Sequence, residues 1–189
     1  MEDLETAYQL LCQGQPVSLP AKTTSFKQWA TKLITYACSA KLRSELEFWL
    51  SLVEKPVTFL PLDFTGAPQT ITQDSSQTVS VALSVDATRA LVQDVQCVYN
   101  TQMNDVLLTA FIQVLSDWTG GDCFVVDMQG HGREDIMADV DTSRTVGWFT
   151  KIFPVVLTLE PNLNPGAVLR RIKEQLRQIP NGGIGYGLL

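Results

Sequence analysis

Cys123-Phe-Val-Val-Asp-Met-Gln-Gly-His-Gly-Arg-Glu134 is the stretch where the fold and the chemistry of this chain meet. The apolar run 123–126 has the length and β-branched content of a buried strand. It leads into a turn holding the only histidine, His131, between Gly130 and Gly132, with Arg133 and Glu134 directly after. Those glycines let another backbone or a ligand come close. Proton-transfer and charge-pairing groups crowded at the end of a strand mark a candidate site of chemistry.

Downstream, Phe149 to Leu159 reads as a second strand, and Pro154 implies an edge or a bulge. Asn164-Pro165 starts a helix through about 178. It carries Val168, Leu169, Ile172 and Leu176 inward, and its basic face of Arg170, Arg171, Lys173 and Arg177 is solvated or paired. Upstream, Asn104 or Asp105 opens a helix closed by Gly120-Gly121, with Leu107, Phe111, Val114 and Trp118 on one face. Asp105 there is a capping or dipole-favoured carboxylate. Val79, Val81, Leu83 and Val85 alternate as a strand does, and Asp86 is the expected N-cap of a helix through about 99. Three helices precede these: one over 2–13 with Leu4, Ala7, Tyr8 and Leu11, one capped by Ser25 with Phe26, Trp29 and Leu33, and one over about 41–53 with Leu42, Leu46 and Trp49. Their aromatics fit a packed interface between helices. Residues 54–77, with Pro56, Pro61, Gly66, Pro68 and a polar run, form the candidate linker. Strands separated by helices predict an α/β sandwich.

Composition narrows the function. Charged residues are 18% of the chain, against about 25% in average proteins, which hints at surface buried against other protein. The net charge is −6, and no basic stripe with interleaved aromatics exists, which argues against nucleic-acid binding. The cysteines at 12, 38, 97 and 123 form no C-x-x-C pair and have one histidine for company, so no metal site is expected. They read as reduced, buried thiols of a cytoplasmic protein. The acidic amino terminus is unlike a signal peptide, and no apolar stretch approaches the roughly 18 residues of a membrane span.

Three segments in order, Gln129-Gly-His-Gly-Arg-Glu134, Arg144-Thr-Val-Gly-Trp-Phe-Thr150 and Pro180-Asn-Gly-Gly-Ile-Gly-Tyr-Gly187, preceded by Asn104-Asp-Val-Leu-Leu-Thr-Ala110, resemble the condensation/epimerisation superfamily of non-ribosomal peptide synthetases. Within it they look like the epimerisation branch. The resemblance implies a fold like chloramphenicol acetyltransferase, two α/β lobes with a tunnel between them. On that pattern residues 1–55 are the helical tail of the first lobe, 56–77 the inter-lobe linker, and 78–189 a truncated second lobe. The superfamily's His-His-x-x-x-Asp-Gly motif is absent, as is the branch's Phe-Asn-Tyr-Leu-Gly segment, so a fragment is expected, inactive and poorly soluble alone.

The resemblance also implies a role for each residue. The substrate is an aminoacyl or peptidyl thioester on carrier-protein phosphopantetheine, with no cofactor bound by this chain, and the partners are a peptidyl carrier protein and neighbouring synthetase domains. Candidate catalytic positions are Gln129, His131, Arg133 and Glu134. Gln129 stands where the branch carries a glutamate, and an amide cannot shuttle a proton at neutral pH. His131 shapes the turn more readily than it transfers protons. Arg133 either stabilises an enolate or the phosphopantetheine region, or pairs with Glu134 or Asp127. Arg144 anchors the following strand. Trp148 either lines the tunnel or joins the core, and Tyr186 either approaches substrate or serves a tight turn. Peptide-bond-forming condensation and non-catalytic docking of a carrier protein are the alternatives.

Overall fold

The computed structural model describes residues 2–63 and 76–189. Its elements run α1 (Glu2–Cys12), α2 (Phe26–Ala37), α3 (Ala40–Arg43), α4 (Leu46–Val53), α5 (Val85–Arg89), a π turn (Ala90–Asp94), α6 (Val95–Tyr99), α7 (Met103–Thr119), β1 (Cys123–Gly130), β2 (Lys151–Thr158) and α8 (Pro165–Arg177), with 3-10 turns at Pro180–Gly183 and Tyr186–Leu188. The two strands pair antiparallel, from Cys123 opposite Thr158 to Gly130 opposite Lys151. Pro154 sits opposite Asp127 with no extra residue in the ladder, so the proline is accommodated without a bulge. The Gln175 side chain takes up the outer edge of β2. It accepts from the Thr158 N–H at 2.8 Å and donates to the Thr158 carbonyl at 2.9 Å, occupying groups that an edge strand otherwise leaves free.

Alternation along the strands makes two faces. Phe124, Val126 and Met128 stand opposite Leu157, Val155 and Phe153 on the core face. α7 covers that face with Leu108, Ile112 and Leu115, and α8 with Val168 and Ile172. Ile112, Phe124, Leu157 and Ile172 are fully enclosed, and each such side chain contributes about 2 kcal/mol by leaving water. α8 begins at Pro165 because Asn164 accepts the Ala167 N–H at 2.9 Å and proline needs no partner for a first-turn N–H. Asp105 closes a capping box at the start of α7, accepting the Gln102 N–H at 2.8 Å.

Several expectations are corrected. Residues 76–84 form no strand; Val79 and Val81 are 89% and 92% exposed and have no ladder partner among the described residues. The helix after them is capped by Ser84 rather than Asp86, its side chain accepting the Ala87 N–H at 3.2 Å. The helix over 41–53 is two, with a break at Ser44-Glu45 where the Glu45 carboxylate turns inward. On α7, Leu107, Phe111, Val114 and Trp118 lie on the exposed side, because a second apolar stripe at the same spacing faces the sheet. Periodicity cannot choose between two stripes. α1 buries no side chain. Only Cys123 of the four free thiols is buried. The aromatics of the amino-terminal helices pack on the motif segments: Phe26 and Trp29 on Phe149 at 5.1 and 4.8 Å, and Trp49 on Tyr186 at 5.1 Å. Of the expected linker, residues 64–75 lie outside the described residues, and just before them the Thr58 N–H donates to the Cys123 carbonyl at 2.7 Å. The basic face of α8 is partly paired, with Arg171 on Glu160 at 3.1 Å and Lys173 on the Tyr99 carbonyl at 3.1 Å. No described helix is long and apolar enough to cross a membrane.

Candidate functional site

The β1–β2 ladder ends where three glycine-bearing segments converge. The first is the turn 130–134. Gly132 has φ +70°, and a Cβ there would overlap the Phe149 carbonyl, so the turn lies directly on the backbone of the second segment. The His131 Nδ1 accepts the Arg133 N–H at 2.9 Å, a side-chain turn of the kind asparagine makes. Arg133 reaches back over the loop that follows. Its guanidinium donates to the Thr142 carbonyl and, at 2.8 Å, to the Thr145 carbonyl, and it stacks on the Phe149 ring 4.0 Å from the centroid. The planar fork suits two carbonyls and an aromatic face together. Neither Glu134 nor Asp127 pairs with it among the described ion pairs; its bonds go to backbone carbonyls instead.

Glu134 pairs with Lys151, the residue opposite Gly130 in the ladder, and the Glu134 Oε2 is buried without a hydrogen-bond partner. The third segment closes over that pair. A Cβ on Gly182 would sit 3.1 Å from Lys151 Nζ and 3.4 Å from Glu134 Oε1, while Gly183, φ +89°, rests on the Phe153 ring. A cavity of about 190 Å³ lies beside it, lined by Asn104, Asp105, Met128, Phe153, Ile179 and Gly182, so the start of α7 also reaches this point.

The predicted residues do not all gather. Gln129 stands opposite Ile152 on the face of the ladder away from the core, exposed, with exposed Val125 and Ile152 on the same face. His131 is exposed and serves the turn. The Arg144 side chain runs to α1, pairing with Glu2 at 3.6 Å and with Asp3, and not along the strand that follows. Trp148 is 80% exposed and outside the core. Tyr186 is half-exposed against Trp49. Loop carboxylates Asp139 and Asp141 sit below their ordinary range, the first through its hydrogen bond and charge pairing with Lys32, the second through hydrogen bonds from Ser143. No cluster of three His, Cys, Asp or Glu side chains suited to a metal occurs among the described residues.

Sequence reasoning missed Glu45. It is 5% exposed, yet it accepts from Asn181 Nδ2 at 2.6 Å, from Trp49 Nε1 at 3.3 Å and, at the limit of reach, from the Tyr36 hydroxyl at 3.5 Å. Burial first, then the charge of Glu45 and its hydrogen bond, hold the Tyr36 phenol above its ordinary range. The available signal was an acid four residues before Trp49, a spacing that puts both on one helical face.

The family model described as "Condensation domain" matches residues 1–189. A linear gramicidin synthase of Brevibacillus parabrevis is 47% identical over 189 residues, all of this chain but 2% of that protein's length. Bacitracin synthase 2 of Bacillus licheniformis is 42% identical over 188 residues, 100% of this chain and 7% of that protein. The crystal structure of the epimerization domain from the third module of tyrocidine synthetase B superposes with a TM-score of 0.86 at 41% identity, over 100% of this chain and 42% of that one. The first condensation domain of the CDA synthetase, at 20% identity and a TM-score of 0.68 over 93% of this chain and 37% of that one, shares the fold alone. That fold is the chloramphenicol-acetyltransferase-like α/β arrangement. A match along every residue, with near-half identity to a peptide synthase, means that this chain belongs to the condensation domain family.

Proposed function

We propose that this chain supplies one wall of an epimerisation-type domain, which interconverts L and D configuration at the α carbon of an aminoacyl or peptidyl thioester. The thioester arrives on the phosphopantetheine arm of a peptidyl carrier protein, and neighbouring synthetase domains are the other partners. The observation that carries the reading is the folding of Arg144–Thr150 onto the Gly130–Glu134 turn at the end of the ladder, which brings two of the branch's motif segments together. Likeness to the tyrocidine epimerization domain supports it. Family likeness, not physics, ranks it first.

The chemistry needs a base and an acid on either side of a planar enolate. Arg133 is committed to two backbone carbonyls and Glu134 to Lys151, so both serve to hold the turn. Gln129 is on the exposed face beside apolar Ile152, with Val125 farther along the same face, a surface suited to another protein wall. An amide there can orient a thioester by hydrogen bonding but not exchange its proton. The superfamily's motif histidine, which on the branch's pattern faces position 129 from the opposite wall, can then remove the α proton, but the proton returned to the other face must come from water, and the reaction is slow. The same Gln129 favours the second reading, a condensation domain that forms peptide bonds and has no need of that acid.

The test uses the intact domain with an L-aminoacyl carrier protein in deuterium oxide. Gln129→Glu is expected to exchange the α-hydrogen about 10²-fold faster or more than the unaltered domain, the usual worth of a placed acid–base group. Equal rates remove position 129 from the mechanism. Peptide product without exchange establishes condensation, and carrier binding without either reaction leaves a docking module.

A further inference from the structure

We propose that Glu45 is a positioning residue, a buried carboxylate that clamps the glycine-rich turn 180–187 over the Lys151–Glu134 pair and so fixes the end of the ladder that carries Gln129. The inference rests on the site reading above. Three neutral donors from three separate stretches converge on it: Tyr36 of α2, Trp49 of α4 and Asn181 of the turn. None of the ion pairs among the described residues involves it. A buried charge with no counter-charge is costly and persists only where hydrogen bonds satisfy it. Core packing alone needs no acid at that position.

The turn is shaped to receive it. Asn181 is left-handed at φ 45°, followed by Gly182 at φ 61° and Gly183 at φ 89°. Successive residues of this kind favour neither helix nor strand, so the turn needs an outside hold. Asn181 Nδ2 supplies it at 2.6 Å from Glu45 Oε1. A Cβ on Gly185 would overlap Glu45 Oε2, so the backbone itself lies on the carboxylate. Tyr186 then rests on Trp49, whose indole N–H donates to the same Oε2. From Asn181 one residue leads to Gly182, against Lys151 and Glu134, and Lys151 is the ladder partner of Gly130, next to Gln129.

Two variants of the intact domain test the clamp. Glu45→Gln removes an acceptor from one side of the carboxylate. Asn181→Gly removes the amide while tolerating positive φ but adds backbone freedom, so Glu45→Gln, which leaves the turn's own residues intact, is the deciding variant. Both are expected to lower amide hydrogen-exchange protection over 182–187 about tenfold, with β1 and β2 amides unchanged. In a Gln129→Glu background both are expected to slow α-hydrogen exchange at saturating carrier by about tenfold to a hundredfold, with KM for the carrier little altered. Unchanged protection in either variant overturns the proposal, as does full turnover with a loosened turn. If neither the unaltered domain nor Gln129→Glu exchanges the α-hydrogen, the epimerisation reading fails alone, because amide protection decides the clamp without any reaction.

Discussion

Two glycine-rich turns flank the end of the same ladder, and they are held in opposite ways. The 130–134 turn carries its own supports: His131 accepts the Arg133 N–H, and the Arg133 fork grips carbonyls only 9 and 12 residues away. The 180–187 turn has no such internal side-chain supports. Its side-chain hydrogen bonds run to distant groups, the Asn181 amide donating to Glu45, 136 residues away along the chain, and to the Tyr36 hydroxyl. A turn that carries its own supports can be recognised as a motif in a sequence. A turn held from a distance shows in the sequence only as glycines.

The sharpest way to break this comparison is to crowd each turn. Gly132→Ala places a Cβ on the Phe149 carbonyl at positive φ, a clash with backbone. Strain and overpacking together are expected to cost about 3 kcal/mol or more, read as a fall in the denaturation midpoint of the intact domain. Gly183→Ala, also at positive φ, meets the Phe153 side chain rather than backbone, and a side chain can shift where a carbonyl cannot, so about 2 kcal/mol is expected. Equal losses would mean that the first turn has room to shift.

Arg133→Lys tests the internal support next. Lysine cannot grip two carbonyls and stack on Phe149 at once, so a loss of about 2 kcal/mol is expected on the same midpoint. A lysine variant as stable as the parent would show that the fork adds nothing. A smaller effect, about 1 kcal/mol, is expected for His131→Ala, with His131→Asn close to the parent because it keeps a short acceptor for the Arg133 N–H. An asparagine variant no better than alanine would point to a histidine role beyond the turn.

The smallest effect is on acidity. The lowered carboxyls of Asp139 and Asp141 hold their proton less readily when folded than unfolded. Their contribution is therefore present above the ordinary value of 3.8 and lost as pH falls through the lower folded value. Cleavage of the 139–145 loop by an acid protease should rise below that pH while β1 and β2 stay protected. A loop whose cleavage is flat across that range would remove both carboxylates from its support.

Much of the fold was legible because it rests on local rules. Asn164-Pro165 announces the start of α8, Gly120 the end of α7, and Cys123–Val126 a strand, and each stands where those residues place it. Failures came where tertiary context chooses between equivalent patterns. Val79 to Val85 alternates like a strand, but a strand exists only with a partner. α7 carries two apolar stripes of the same spacing, and only the packing of the sheet selects Leu108, Ile112 and Leu115. At the site, the sequence leaves Arg133 open between substrate stabilisation and a carboxylate partner, and the fold instead brings two nearby carbonyls to its fork.

The order and chemistry of the motifs, the strands that bear them, and family membership follow from the amino-acid sequence alone, since each depends on residues close together in the chain. Tertiary structure decided that Gln129 faces away from the core, that Arg133 is spent on backbone, and that Glu45 holds the last turn. Those outcomes depend on which groups meet after long stretches of chain fold back on themselves, and no local spacing encodes that meeting.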